Sequence, residues 1–114
     1  MKIMKLKKNR EFLNVYKHGA YYADKTLVVY ILKNKKDFSF FGAAVGKKVG
    51  GSVVRSRVTR LIKEAVRRNI GSVAPGFDIV VLARAGSGAE SYSRIEDSYL
   101  RLIKRGRVFL TGTE

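Results

Sequence analysis

Residues 52–69 have the sequence SVVRSRVTRLIKEAVRRN, which has the pattern of a single helix. Its apolar residues recur at intervals of three and four, the period of an amphipathic α-helix, and they are Val54, Val58, Leu61, Ile62 and Ala65. Ser52 is the predicted N-cap and Gly71 the predicted stop, because Ser is favoured at the start of a helix and Gly just past its end. The helix lies between two regions with strand character, which predicts a chain of mixed helix and strand.

The regions on either side of this helix carry the strand signals. Before it, Leu27–Leu32 and Phe38–Val45 are rich in β-branched and aromatic residues and are separated by a polar turn, which predicts two paired antiparallel strands. A weaker signal at Tyr21-Tyr22 indicates a further short strand. After the helix, Pro75-Gly76 marks a turn, and Phe77–Ala83 is a continuous apolar run, as expected for a strand that is buried on both faces.

A short helix near each end of the chain completes the prediction. The first ends near Gly19, and the last covers residues 93–105 and starts with a capping box made by Ser93 and Glu96. The resulting order α-β-β-β-α-β-α predicts a single α+β domain over residues 1–114. In this sandwich, helices pack on a small, mostly antiparallel sheet.

The chain is strongly basic, with 24 Lys and Arg residues against 9 Asp and Glu residues and a formal net charge of +15. Because 46% of its residues are hydrophobic, it can build a core, so the charge lies on a folded surface and not on a disordered tail. Nucleic acid is the expected partner, since each phosphate that Lys or Arg neutralises releases condensed counterions. An anionic membrane is the competing partner, but it favours a helix with an exposed apolar face, and the apolar faces here are needed for the core.

The composition also excludes several kinds of site and location. The chain has no Cys, which removes disulfides, thiolate zinc sites and cysteine nucleophiles. Its apolar runs are shorter than the roughly 20 residues that span a bilayer. The N-terminus lacks the apolar segment of a secretory signal, and its basic residues are Lys2, Lys5, Lys7, Lys8 and Arg10. We therefore expect a soluble, cytoplasmic protein without a membrane partner.

The helix predicted at residues 52–69 and the loop before it carry much of the positive charge. Residues 46–69 hold eight basic residues and one acidic residue, and so supply seven of the fifteen net charges. At about 100° per residue, the apolar residues fall on one side of the helix and most of the basic residues on the other. An ordinary solvated helix face would mix both signs, so the one-sided charge predicts a nucleic-acid surface.

This segment resembles the protein subunit of bacterial ribonuclease P. The family's signature is a Lys-Lys-hydrophobic-Gly loop followed by a helix with Arg-Asn-Arg-x-Lys-Arg, and here it is present as Lys47-Lys48-Val49-Gly50 and Arg55-Ser56-Arg57-Val58-Thr59-Arg60. Further stretches are similar to the family in the same order, and they are residues 6–12, 15–19, 27–30 and 78–84. The resemblance thus covers nearly the whole chain. Ser56, Thr59 and Gly51 depart from the family's usual Asn, Lys and Asn.

The resemblance implies both a fold and a function. The fold is a small α+β protein with a left-handed βαβ crossover, where general connection rules alone would give a right-handed one. The function is that of the accessory subunit of an endoribonuclease that removes the 5′ leader from precursor tRNA. The catalytic RNA subunit carries the chemistry with bound Mg²⁺. The protein would supply no nucleophile, would bind no metal or cofactor by itself and would be monomeric outside the holoenzyme.

The resemblance also assigns the contacts with RNA. The basic helix and its loop would bind the catalytic RNA through Lys47, Lys48, Arg55, Ser56, Arg57, Arg60, Lys63, Arg67 and Arg68. A cleft between the sheet and this helix would hold the single-stranded leader, and Phe12, Tyr16 and Tyr30 match the family's aromatic positions there. Aromatic rings beside a cationic track suit single-stranded RNA, but core packing explains Phe12 equally well. The phenylalanines predicted to lie in the core are Phe38, Phe40, Phe41 and Phe77.

Two other functions remain open on the sequence. A ribosomal or other structural RNA-binding protein would have the same size, charge and α+β layout. A protein nuclease acting alone would need clustered catalytic residues. The carboxylates are scattered, however, and the single histidine, His18, has no triad or metal-ligand partner in the sequence.

Overall fold

A computed structural model describes residues 4–108 and has the predicted order of the main helices and strands. Lys2, counted above with the basic N-terminus, lies outside the described residues. The strands are β1 (Met4–Lys5), β2 (Ala20–Ala23), β3 (Leu27–Lys33), β4 (Phe40–Ala44) and β5 (Phe77–Ala83). The helices are α1 (Asn9–His18), α2 (Ser52–Arg68) and α3 (Tyr92–Arg105). Short 3₁₀ turns lie at Lys47–Val49, Ile70–Ser72 and Ala85–Ala89.

The five strands of the described chain form one mixed sheet in the order β1-β4-β5-β3-β2. β2 and β5 flank β3 and run antiparallel to it, whereas β1 and β5 flank β4 and run parallel to it. The pairing of β3 with β5 extends from Leu27 opposite Ala83 to Lys33 opposite Phe77. β4, α2 and β5 therefore form the expected βαβ crossover, whose left hand stays a prediction.

The predicted direct pairing of Leu27–Leu32 with Phe38–Val45 is wrong, because β5 lies between these two strands. In β5, Ile79, Val80 and Val81 are all completely buried. A strand that is apolar on both faces needs a cover on each face and a neighbour on each edge, which the centre of the sheet provides. The polar turn between the two earlier strands therefore connects strands that are not neighbours.

The two faces of the sheet are covered unequally. On one face, alternate residues of β3 from Leu27 to Ile31 are buried in the main core together with residues of α2 and α3. On the other face, α1 packs over a smaller cluster that contains the completely buried Val15 and Val80. Burial of an aliphatic side chain of this size contributes about 1.5–3 kcal/mol. Tyr30 lies on this second face and is only half-buried, so α1 does not cover the face completely.

The ends of α2 differ from the prediction by a few residues. Gly50 has a φ of 154°, which favours glycine, and it turns the chain into a helix whose N-cap is Gly51 and whose first residue is Ser52. The predicted Ser52 cap is therefore wrong. The helix ends just before Asn69, so Gly71 lies in the following 3₁₀ turn and is not the stop.

Two further local predictions are wrong, namely the N-cap of the last helix and the burial of Phe38. The N-cap of α3 is Ser91, whose Oγ accepts a hydrogen bond from the Arg94 N–H at 3.3 Å, and not the predicted Ser93. The Ser-Tyr-Ser sequence presents two equally good caps, and the helix begins after the first. Phe41 is buried in the core as predicted, but Phe38 lies before β4 begins and is 59% exposed.

Candidate nucleic-acid interface

α2 is fixed by its apolar side and presents its basic side to an open groove. The side chains of α2 that are buried in the core are Val58, Ile62, Ala65 and Val66. The groove lies between α2 and β4 and has a volume of about 850 Å³. We call it the basic groove, and the cationic residues that line it are Lys5, Arg55, Arg60, Lys63 and Arg67. Its other wall is mostly apolar and includes β4 and the ring of Phe12.

The structure brings five of the predicted RNA-binding residues together in the basic groove. They are Arg55, Ser56, Arg60, Lys63 and Arg67. Lys47 and Lys48 are exposed in the 3₁₀ turn that precedes α2, and Arg57 and Arg68 lie outside the groove lining. The predicted set is therefore divided between the groove, the turn before α2 and a flank of α2 outside the groove, where Arg57 contacts the turn after β5 and Arg68 contacts Tyr92.

Four of these cations have exposed side chains that can meet an anionic partner. Lys47, Lys48, Arg60 and Lys63 are exposed, and within residues 4–108 none of them takes part in a salt bridge. Like charges that are close together repel one another, and a polyanion relieves this repulsion. The arrangement is therefore suited to binding phosphates.

Arg55 and Arg57 are held by main-chain carbonyl groups. Arg55 Nε donates to Gly50 O at 3.1 Å, within the loop that leads into α2. Arg57 donates to Gly88 O at 3.3 Å and to Glu90 O at 2.9 Å, and so ties α2 to the turn after β5. Hydrogen bonds from a charged donor are stronger than neutral ones. Arg57 therefore has a structural contact that its place in the RNA-binding motif did not predict.

Glu64 neutralises part of the charge near the end of α2. Its carboxylate accepts from Arg67 Nη2 at 2.6 Å and from Arg68 Nε at 2.8 Å. These hydrogen bonds from Arg67 and Arg68 lower the pKa of Glu64 to about 2, so it stays charged at neutral pH. The guanidinium of Arg68 also lies 5.0 Å from the centre of the Tyr92 ring. This end of the helix thus offers less free positive charge than its sequence indicates.

The three predicted leader-binding aromatics belong to one cluster on the α1 face of the sheet. The ring of Phe12 lies directly on Gly42, where an added Cβ would come within 2.5 Å of the ring, and it lines the basic groove. Tyr16 and Tyr30 lie outside the groove lining, on the sheet face that α1 covers, so their predicted place in a cleft between the sheet and α2 is wrong. Their rings meet edge to face, with ring centres 4.8 Å apart. Burial, with a smaller contribution from Tyr30, raises the pKa of Tyr16, so its hydroxyl stays neutral. Phe12 is therefore both a packing residue and a wall of the groove.

Two residues beside this site, Lys5 and Tyr21, have no sequence signal that predicts their place there. Lys5 lies in β1, which pairs with β4, and its side chain lines the basic groove. A strand of two residues has no periodicity by which it could be predicted. Tyr21 is 65% exposed, and the centre of its ring is 5.7 Å from that of Tyr30. Its contact depends on the register between β2 and β3, which a single weak strand signal does not give.

Asp24 is the acidic residue with the most hydrogen bonds from other elements of the described chain. Among residues 4–108, no three His, Cys, Asp or Glu side chains are grouped so that they could hold a metal ion. Asp24 accepts hydrogen bonds from the N–H groups of Thr26 and Leu27, both at 2.9 Å, and from Ser98 Oγ at 2.6 Å. Burial raises the pKa of Asp24, but these hydrogen bonds outweigh it and the net pKa is lowered.

Within residues 4–108, no helix has the length and apolar character to cross a membrane.

Comparison with known proteins decides the family. Residues 1–107 match the family model described as Ribonuclease P. The chain belongs to the ribonuclease P protein family. It is 52% identical over 101 residues to the ribonuclease P protein component of Clostridioides difficile (strain 630), and the matched residues cover 88% of this chain and 89% of that protein. It is 42% identical over 110 residues to that of Clostridium botulinum (strain Langeland / NCTC 10281 / Type F), with 96% of this chain and 99% of that protein covered.

Solved structures of ribonuclease P proteins share the fold. The protein from Staphylococcus aureus superimposes with a TM-score of 0.86 at 32% identity, over 96% of this chain and 100% of that one. The protein from Thermotoga maritima gives a TM-score of 0.81 at 32% identity, over 89% of this chain and 96% of that one. These comparisons confirm the predicted family and the α+β fold, and family membership removes the ribosomal alternative. The individual RNA contacts stay predictions.

Proposed function

We propose that the chain is the protein subunit of a ribonucleoprotein that removes the 5′ leader from precursor tRNA, leaving a 5′-phosphate on the tRNA. The observation that carries the proposal is the basic groove, where cations of α2 face an apolar wall that includes an aromatic ring. Membership of the ribonuclease P protein family implies the catalytic RNA subunit as the main partner.

In this proposal α2 binds the catalytic RNA. Lys47, Lys48, Arg60 and Lys63 are exposed side chains of α2 and the turn before it, and within residues 4–108 none of them is in an ion pair that a phosphate would have to break. Each phosphate contact releases counterions, so the affinity should fall steeply as the salt concentration rises. Ser56 can offer only one hydroxyl where the family usually has an amide, and it is exposed at the groove.

The single-stranded leader binds to the aromatic cluster on the α1 face. Phe12, Tyr16 and Tyr30 are partly buried, which fixes their rings while leaving part of each surface accessible. Stacking on such rings tolerates any base, because every base has a π-face. This suits a subunit that must accept precursor tRNAs with different leaders. Phe12, which lies at both the cluster and the groove, would link the leader site to the basic groove.

The catalytic RNA carries the chemistry and holds the Mg²⁺ that the reaction requires. Mg²⁺ prefers oxygen ligands in octahedral geometry and is commonly bound through phosphates. The protein's own carboxylates are a poor alternative, because Glu64 is engaged by two arginines and Asp24 by Thr26 and Ser98. The protein instead supplies positive charge, which reduces the repulsion between the two RNAs and lowers the Mg²⁺ concentration that they need.

Reconstitution tests this function. The purified protein alone should not cleave precursor tRNA. When it is added to the cognate RNA subunit, cleavage should occur at a lower Mg²⁺ concentration than with the RNA alone, with release of the 5′ leader. Unchanged Mg²⁺ dependence would contradict the proposal, and cleavage by the protein without RNA would show a protein nuclease instead.

A further inference from the structure

Tyr21 is a large aromatic residue that lies outside the hydrophobic core. It lies in β2, at the edge of the sheet, and is 65% exposed. β2 pairs antiparallel with β3 so that Tyr21 is directly opposite Tyr30. Directly opposed residues of an antiparallel pair place their side chains on the same face of the sheet. Tyr21 is therefore on the face that α1 leaves partly open.

Three tyrosine rings form a continuous row on this face. Tyr16 contacts Tyr30 at 4.8 Å between ring centres, and Tyr30 contacts Tyr21 at 5.7 Å with the ring planes inclined by 37°. Exposure increases along the row, from the half-buried Tyr16 and Tyr30 to the mostly exposed Tyr21. The row thus leads from the predicted leader site beside α1 toward the β2 edge of the sheet.

We propose that Tyr21 is a further stacking residue for the single-stranded 5′ leader and extends its binding site by one nucleotide. This inference rests on the proposed function. Single-stranded RNA is bound when successive bases stack on successive aromatic side chains, and an exposed ring beside an occupied one provides the next position. The contact with Tyr30 orients the ring of Tyr21 and so reduces the side-chain entropy that is lost when a base stacks on it.

The test measures the affinity of the reconstituted holoenzyme for precursor tRNA and for mature tRNA. Tyr21→Ala should weaken binding of precursor tRNA about fivefold or more, the lower end of what one base–aromatic stack contributes. It should leave binding of mature tRNA unchanged, because mature tRNA has no leader. Tyr21→Phe should retain the affinity, since the ring is kept. Leu13→Ala is the matched control, because Leu13 is an apolar residue of similar exposure, 61%, on the outside of α1.

A scan with abasic nucleotides locates the contact. In the wild-type holoenzyme, replacing single leader nucleotides by abasic ones should weaken binding at each stacked position. In Tyr21→Ala one of these positions should become insensitive, while the remaining positions keep their effect. Loss of sensitivity at every position would show that the variant disturbs the whole site, and would overturn the assignment of one nucleotide to Tyr21.

Failure of this inference is distinguishable from failure of the proposed function. If Tyr30→Ala weakens binding of precursor tRNA and Tyr21→Ala does not, Tyr21 is not a stacking residue, but the leader site stands. If neither variant changes the affinity and the wild-type holoenzyme binds precursor and mature tRNA equally, the proposed leader site is wrong as well. If Tyr21→Ala instead changes self-association of the free protein, the exposed ring serves contact between copies, and the inference is overturned.

Discussion

At the scale of single residues, the charge available to RNA differs from the charge written in the sequence. Residues 46–69 contain eight basic residues, but Arg57 is bound to carbonyl groups 31 and 33 residues away in the chain. Arg67 and Arg68 share the carboxylate of Glu64. The helical period predicts which side of α2 is basic, but it does not predict hydrogen bonds to distant carbonyls. The helical period therefore predicts which face of α2 is cationic, but it does not predict which of the cations are engaged by other groups of the protein.

Glu64→Gln is expected to raise the affinity for the RNA subunit. The substitution releases Arg67 and Arg68 and adds one unit of net positive charge beside the groove, so the gain should be largest at low salt. Asp97→Asn on α3 is the control, because it adds the same charge next to Arg101 and outside the groove. RNA binding across a salt series measures both variants. Equal gains would show that net charge, and not its position on α2, determines the affinity.

The same ion pairs set a pH range for their contribution to stability. Because the folded protein lowers the pKa of Glu64 from 4.5 to about 2, the contribution is fully present above pH 4.5 and is lost as the pH falls toward 2. The arginine pair is therefore intact throughout the neutral range in which RNA is bound.

At the scale of elements, Arg57 joins α2 to the turn that follows β5. We expect Arg57→Ala to lower the free energy of unfolding by about 1–3 kcal/mol, because the carbonyl groups of Gly88 and Glu90 lose their donor. Arg60→Ala is the matched control, since Arg60 is exposed and should change stability by no more than about 0.5 kcal/mol. Urea unfolding monitored by circular dichroism measures both. Equal stability of the two variants would mean that Arg57 does not fasten α2 in solution.

The strands show how far local sequence determines the sheet. Phe77–Ala83 has the predicted limits, and the pattern of Leu27–Lys33 places alternate residues in the core. Strand pairing, however, depends on which strand is apolar on both faces and is therefore buried at the centre of the sheet. This strand is β5, which lies between β3 and β4. A short polar turn favours a hairpin locally, but burial of β5 contributes more. The elements were therefore predictable, and their order in the sheet was not.

At the scale of the whole molecule, the fold separates two kinds of surface. α2 covers one face of the sheet and carries the free cations along the basic groove, while α1 and the tyrosine row occupy the other face. Phe12 is common to both, because it packs on Gly42 and lines the groove. One small domain can in this way bind a structured RNA and a single strand at adjacent surfaces. The aromatic positions followed from the family resemblance, but their contacts depend on long-range packing.

The salt dependence of the affinity for the RNA subunit tests most directly whether α2 binds that RNA. For the double variant Arg60→Glu, Lys63→Glu, the slope of log affinity against log salt should become shallower by about 0.7–0.9 for each phosphate that the variant no longer neutralises. Lys104→Glu, an exposed charge reversal on α3 outside the groove, should leave the slope close to that of the wild type. An unchanged slope in the double variant, or an equally shallow slope in Lys104→Glu, would contradict binding of the RNA by α2.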